Sequence, residues 1–388
     1  MTGIQQRSPG LRSDPVAPMR QFLALSRTAF RRLHGLDSDE LQTEPVECGE
    51  AAVWFAAARR HRVAGLWAAA LPLPSLVPSL AEAWQRVSYG QALYTARLSI
   101  EAERIFTALR SSVDDLRLVK GPTLDAQAWP QPGIRSFDDL DFRCRRIGLP
   151  ALTQGLRALG FRPVVEDPRR FKHLWHFGWG VSFRHADGLL IECNHRMFPP
   201  HYPFPNRILE CAADAWRPLA LDLATVSAPT APQQLLLACL HSLWHGWERL
   251  VWVADIAGLL VRNPGVRADA ERLVRRGGFA RRALAVGCGV AERVFGPLPA
   301  QPQRAALEQT AVELALSALA CAAVPPSTAA QRQMHLQLMR PGEAARYTLR
   351  RLATPGDPDF QQWHLPTSLG GLYWALRPLR LCHTNEGR

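Results

Sequence analysis

Lysine is almost missing from this chain. Of 46 basic residues in 388, only Lys120 and Lys172 are lysines, so arginine carries nearly all of a net charge of +12. The basic balance permits anionic partners such as nucleotides or nucleic acid, but lysine clusters and a recognisable nucleic-acid reading motif are both absent. The chain is also heavy in Ala, Leu and Pro, which points to a GC-rich coding bias that inflates arginine and makes the two lysines more informative. Paired cysteines are lacking too. Cys48, Cys144, Cys193, Cys211, Cys239, Cys288, Cys321 and Cys382 form no Cys-x-x-Cys, which argues against a zinc site or a disulfide framework and for a reducing, cytoplasmic compartment. No apolar run is long enough to span a bilayer. The longest, Leu314 to Val324, is Ala-rich, contains Ser317, and reads as a core helix. The opening from Met1 to Pro18 is polar and proline-rich, has no signal-peptide core, and is expected to be a flexible arm.

What is present is a dense stretch from Leu116 to Arg145. At its centre Asp139-Leu140-Asp141 puts two carboxylates at i and i+2. On a strand they share one face while Leu140 and Phe142 fill the other. Two like charges roughly 6–7 Å apart at an effective dielectric of about 20 repel by about 2.5 kcal/mol, so the pair calls for a cation. Mg²⁺, held by one or two carboxylates together with substrate phosphates, suits it. Arg143 has the same strand parity, so a plain ion-pair ladder is the competing explanation. Asp138, adjacent but facing the other way, is left outside the site.

Upstream, Leu116 to Val119 reads as a short strand, broken by Lys120-Gly121-Pro122 before a helix beginning near Thr123. Gly121 allows close backbone approach, proline is tolerated in a first helical turn, and the amides there can receive phosphate. Pro130, Pro132 and Gly133 impose a loop that delivers Arg135 and Ser136 to the edge of the Asp strand. Further on, Glu192 points opposite to Ile191 and Cys193 on an apolar strand, Leu189 to Asn194, and is the candidate third acid.

Lys-Gly-x-x-Leu at 120–124, Pro-Gly-x-Arg at 132–135 and Asp-x-Asp at 139–141 together resemble a bacterial family of largely uncharacterised nucleotidyltransferases. That family belongs to the polymerase-beta-like superfamily. The resemblance covers roughly Asp114 to Leu260. It implies Asp139, Asp141 and Glu192 as catalytic residues holding Mg²⁺, two ions in all, with a nucleoside triphosphate as donor and pyrophosphate as the product released. It also implies a nucleotide site made of Lys120, Gly121, Arg135 and Ser136. Lys172 and His173, lying in sequence between the acid-bearing strands, are added to it as groups able to reach the triphosphate. Family members share a His-x-x-x-His helix and a Trp-x-x-Asp helix, matched by His241 and His245 and by Trp252 to Asp255, so His241, His245 and Asp255 join the expected pocket. The chain departs from the wider superfamily where Lys120-Gly121-Pro122 stands for Gly-Ser. It departs from the family where Asn194-His195 stands for His-Trp. The acceptor implied is a peptide, sugar or small metabolite of a biosynthetic pathway.

The expected fold class is α+β, a small mixed-sheet core between helical segments. The arm 1–18 is followed by a helical segment 19–111, the α/β core 112–227, a helical domain 228–353 and a tail 354–388. His61, Arg62 and Trp54, Trp67 and Trp84 read as packing and surface residues. Phe171 to Arg184, rich in aromatics, is read as strand, and Ala329 to Leu352 as one helix. Other functions stay open: transfer of a phosphoryl or glycosyl group on the same fold, a non-catalytic nucleotide-binding scaffold, or a nucleic-acid-binding module, which is not favoured.

Overall fold

In a computed structural model, residues 17–36, 48–203, 216–275, 278–298, 306–320 and 327–383 are described. Most of the expected arm, up to residue 16, lies outside them. The fold is α+β: a five-stranded mixed sheet with helices on its flanks, and a separate two-stranded hairpin. The sheet contains β1 (Arg117–Val119), β2 (Asp139–Arg143), β3 (Arg162–Pro163), β4 (Gly180–Arg184) and β5 (Leu190–Asn194) in the order β1-β2-β5-β4-β3. Only the β2–β5 pair is parallel, and its register sets Asp141 against Glu192. The hairpin, β6 (Trp216–Ala220) and β7 (Thr225–Pro229), had no counterpart in the sequence reading.

Two cores share one long helix. Leu140, Phe142, Ile191 and Phe183 on the inner face of the sheet pack with Leu156 and with Leu98, Ile105 and Phe106 from helix Ala81–Leu109. The same helix, 29 residues and therefore about 43 Å long, sends Trp84 into a second, all-helical core. There Trp84 stacks on Trp67 at 5.0 Å, and the apolar faces of helices Ala231–Trp244, Leu250–Arg262 and Gly278–Phe295 meet. Helix Ala231–Trp244 starts at a capping box, where Gln233 accepts from the Thr230 amide at 3.1 Å. Helix Leu250–Arg262 crosses helix Gly121–Ala128 at Gly258, where an added Cβ would come within 2.2 Å of the Ala128 carbonyl oxygen. That close crossing sets the Lys120 turn against the helix carrying Trp252 and Asp255.

Three expectations change. The first half of Phe171 to Arg184 is helical, Pro168–Phe177, with Asp167 accepting from the Arg169 amide at 2.9 Å to cap it. Its burial alternates like a strand because the helix is covered on two sides: Phe171 and Trp175 enter the sheet core, while His173 and Phe177 meet Phe360 and Tyr373. The expected helix Ala329 to Leu352 is two, Thr328–Gln337 and Pro341–Ala353, since Pro341 starts the second and cannot continue the first. The tail contains helices Asp357–Gln362 and Tyr373–His383, tied together by the fully buried Asp359 carboxylate, which accepts from Arg377 at 2.5 Å and Arg380 at 2.7 Å. Among the described residues no helix is long and apolar enough to cross a membrane.

Candidate active site

The turn after β1 is built under backbone strain. Lys120 sits at φ 53°, a region that costs a residue with a Cβ about 1–3 kcal/mol, and Gly121 follows at φ 31°. The strain turns the chain into helix Gly121–Ala128 and lays the Lys120 ammonium on Asp141, Nζ to Oδ1 2.9 Å. Asp139 and Asp141 share the outer face of β2, and Glu192 stands beside Asp141 on β5. Arg143, the cation of the competing ladder, is bonded instead to Asp115 at 3.2 Å and lies over the Trp216 ring at 5.5 Å.

Three acids thus surround one lysine, and the excess negative charge shows in how the cluster holds protons. Burial raises the Asp141 carboxyl to about 7 despite the pull of Lys120, with Asp139 and Glu192 adding repulsion. Burial also raises Glu192, again opposed by Lys120 and helped by Asp139. Burial alone would lower the Lys120 ammonium, but Asp141, Glu192 and Asp139 outweigh it and the net shift is upward. The Asp139 carboxylate has no hydrogen-bond or ion-pair partner among the described residues.

Asp139, Asp141 and Lys120 open onto a cavity of about 260 Å³. His241 and His245 line its opposite wall, with ring centroids 4.6 Å apart and each ring edged or tilted against Trp252 at 4.9 and 5.1 Å. Both imidazoles are neutral at pH 7: burial first, then the Lys120 charge, lowers His241 well below its usual range and His245 to about 4. Ser136 lines the cavity with its hydroxyl 3.5 Å from the Arg62 carbonyl.

Arg135 lines the cavity as well, but its guanidinium is committed. It donates from Nε at 2.8 Å and Nη2 at 3.0 Å to Asp255, which also accepts from the Trp129 indole at 2.7 Å. Its third nitrogen, Nη1, is buried without a hydrogen-bond partner among the described residues. Asp255 is 1% exposed and does not line the cavity; it holds Arg135 in place.

Lys172 and His173 are not part of this assembly. Lys172 is exposed on helix Pro168–Phe177, and the His173 ring is buried against the tail with Nε2 3.1 Å from the Leu365 carbonyl. Closeness in sequence to the acid strands misled because the intervening segment is a helix facing the tail. His195 meets the Trp175 carbonyl through Nε2 at 2.7 Å and does not line the cavity.

The sequence reading missed four charged cavity residues. Arg62 pairs with Asp138, and Arg249 and Glu248 approach from the start of the next helix. Asp138 was set aside on strand parity, but β2 begins at Asp139, so alternation says nothing about its direction. Arg62, at φ 57°, lies in a break between helices Cys48–Arg60 and Ala64–Ala70 that the continuous helical pattern of the sequence does not announce. Arg62, Ser136, Phe137, Asp138, Glu248 and Arg249 also border a second cavity of about 710 Å³, which adds Arg59 and Arg60.

The residues fit a divalent cation. Two oxygen donors on one strand face, one of them unpartnered, with uncompensated negative charge and room for phosphate oxygens, are the donor set that Mg²⁺ takes. No group of three His, Cys, Asp or Glu side chains converges to hold an ion by protein ligands alone among the described residues. A comparison with curated proteins found no match. The pattern of a family described as uncharacterised nucleotidyltransferase matches residues 50–296, which takes in the Arg62 turn, the Lys120 turn, all three acids, the His241–His245 helix and Asp255. With most of its length matched, this chain belongs to that nucleotidyltransferase family.

Proposed function

We propose that the protein moves a nucleoside monophosphate from a nucleoside triphosphate to the hydroxyl of a peptide, sugar or small metabolite, releasing pyrophosphate. The observation that carries this reading is the register of Asp139 and Asp141 on β2 with Glu192 on β5, around Lys120; the two aspartates and the lysine open to one cavity, and Glu192 stands beside Asp141 without lining it.

Asp139 and Asp141 would hold Mg²⁺ together with the triphosphate, and Glu192 would complete a second ion site. The metal supplies charge neutralisation at the phosphate oxygens. The chain's own groups do the rest. Gly121, without a side chain at the start of its helix, lets phosphate oxygens reach the backbone amides. Lys120, Arg62 and Arg249 offset charge on the triphosphate and on the leaving pyrophosphate, and the spare Nη1 of Arg135 offers one more donor. Neutral His241 and His245 offer ring nitrogens for hydrogen bonds without adding charge. The acceptor oxygen forms a bond to the α-phosphorus as the α–β bridge P–O bond breaks; its proton passes to Glu192, and pyrophosphate leaves with the bonding pair.

Calorimetric titration with ATP, GTP, CTP and UTP, with and without Mg²⁺, tests this before any acceptor is known. The wild type should bind one of them only with Mg²⁺, and an Asp139→Asn/Asp141→Asn variant of unchanged fold should not. Absence of binding to all four by the folded wild type overturns the reading.

A further inference from the structure

A third cavity, of about 360 Å³, lies on the other side of helix Ala231–Trp244 and shares no residue with the Lys120 cavity. His241 and His245 of that helix face the candidate active site, while Trp244 faces this one. One wall comes from the family-matched part of the chain: Phe177, Trp179, His201 and Trp244. The other comes from residues 328–377, beyond the match, in the helices Thr328–Gln337, Pro341–Ala353 and Asp357–Gln362 and the start of Tyr373–His383.

The lining is aromatic and cationic together. His335 stacks on Trp244 at 5.6 Å and 15°, His201 lies 5.8 Å from Tyr347, and Phe360 closes the end near Phe177 at 5.8 Å. Three arginines and one acid border the space. Arg377 is occupied by Asp359, and Asp357 by Arg170. Arg332 and Arg351 remain, half-buried, and neither guanidinium has an acid or hydrogen-bond partner among the described residues. His335 adds a third polar feature. Its Nε2 meets the Leu243 carbonyl at 3.0 Å and so carries the proton, which leaves Nδ1 as a bare acceptor, buried and without a partner among the described residues.

We propose that this cavity is a second ligand site, for a small molecule with a flat apolar body and one anionic group. The rings of Trp244, His335, Phe177 and Phe360 take the flat body, and Arg332 and Arg351 take a sulfonate, phosphate or carboxylate. The volume falls within the span of about 300–1,000 Å³ usual for small-molecule sites, and an apolar lining with few placed polar groups is their usual make-up. A planar guanidinium beside aromatic faces is suited to hold such an anion by paired hydrogen bonds. The proposal stands apart from the transferase reading, since it uses none of that site's residues.

Two probes that share one ring system separate charge from apolar burial. 8-Anilino-1-naphthalenesulfonate carries the anion, and N-phenyl-1-naphthylamine is the same body without it. Their fluorescence on titration into the full chain should give a single site that prefers the sulfonate by about tenfold or more, the size of one or two charge-assisted hydrogen bonds. Arg332→Gln/Arg351→Gln, with its fold checked by thermal melting, should abolish that preference and leave binding of the neutral probe within about twofold. Each single substitution should remove part of it, so a poorly folding double variant does not stall the test. The proposal is overturned if the wild type does not prefer the anionic probe, or if the preference survives the loss of both arginines.

Discussion

Arg135 and Asp255, 120 positions apart, meet through two nearly parallel hydrogen bonds of 2.8 and 3.0 Å, with both side chains almost fully buried. The pair joins the loop before β2 to the helix carrying Trp252. Removing one member strands the other as a buried charge. Asp255→Ala should therefore cost about 3–5 kcal/mol in urea unfolding, with nucleotide binding reduced through the displaced Arg135. A loss under about 1 kcal/mol would mean that the arginine finds water or another acid.

Gly121→Ala should be costly out of proportion to one methyl group. The glycine adopts φ 31°, and a Cβ there would meet the Phe137 ring at 3.5 Å, an ordinary contact. The cost is thus conformational, about 1 kcal/mol of stability. The same change should weaken triphosphate binding, because the altered turn carries the Lys120 ammonium. Thermal melting and calorimetry on one variant separate the two effects.

Acid should destabilise the fold well before the carboxylates are discharged. Burial is the main cause that lowers His61 to about 3 and His34, His201 and His335 to about 4. Unfolded histidines titrate near 6.5, so below that pH the unfolded chain takes up protons that the folded chain refuses. Stability is fully present above about 6.5 and falls as pH drops towards 4, by up to about 1.4 kcal/mol per pH unit for each histidine. Asp125 works the other way. Burial raises it, like Asp141, to about 7, so both contributions are present below about 4 and are lost as pH rises through 7. Glu192 is raised too, but these carboxyls are outnumbered by the lowered histidines, which include His241 and His245 besides the four named. Urea midpoints between pH 7.5 and 5 should fall steadily; a flat profile would refute the account.

Asp359 should act as the clasp of the tail. It is fully buried, accepts from Arg377 and Arg380, and bonds the Gly356 amide at 2.8 Å. Asp359→Ala leaves two arginines without their acid, a loss of about 3–5 kcal/mol confined to the tail helices. Limited proteolysis should then cut within 354–383 while the Lys120 cavity still binds nucleotide.

What the sequence made legible was local. Asp139, Leu140 and Asp141 declare a two-faced strand by alternation, and Lys120-Gly121-Pro122 declares a turn by chemistry, since each signal lies within a few residues of its effect. Arg62 and Arg249 were silent because they reach the cavity from 58 positions before Lys120 and 129 after it, and no periodicity records such a meeting. Asp255 looked like a pocket residue from its family motif, and only the fold shows that it supports Arg135 from behind. Helix Pro168–Phe177 was misread because burial on two opposite sides imitates the period of a strand. The pairing of Asp141 with Glu192 was legible in kind but not in register, which depends on β5 lying parallel beside β2.

The scarcity of lysine gives the molecule an intrinsic reporter. Amine-reactive reagents can modify only two side chains, one on an open helix and one locked against a carboxylate at the mouth of a cavity. Lys172 serves as the internal standard, and the mass spectrum of the peptide bearing Lys120 reads directly how often that ammonium is uncovered. Any molecule that settles over the acids will register there as protection, whether or not its chemistry is known.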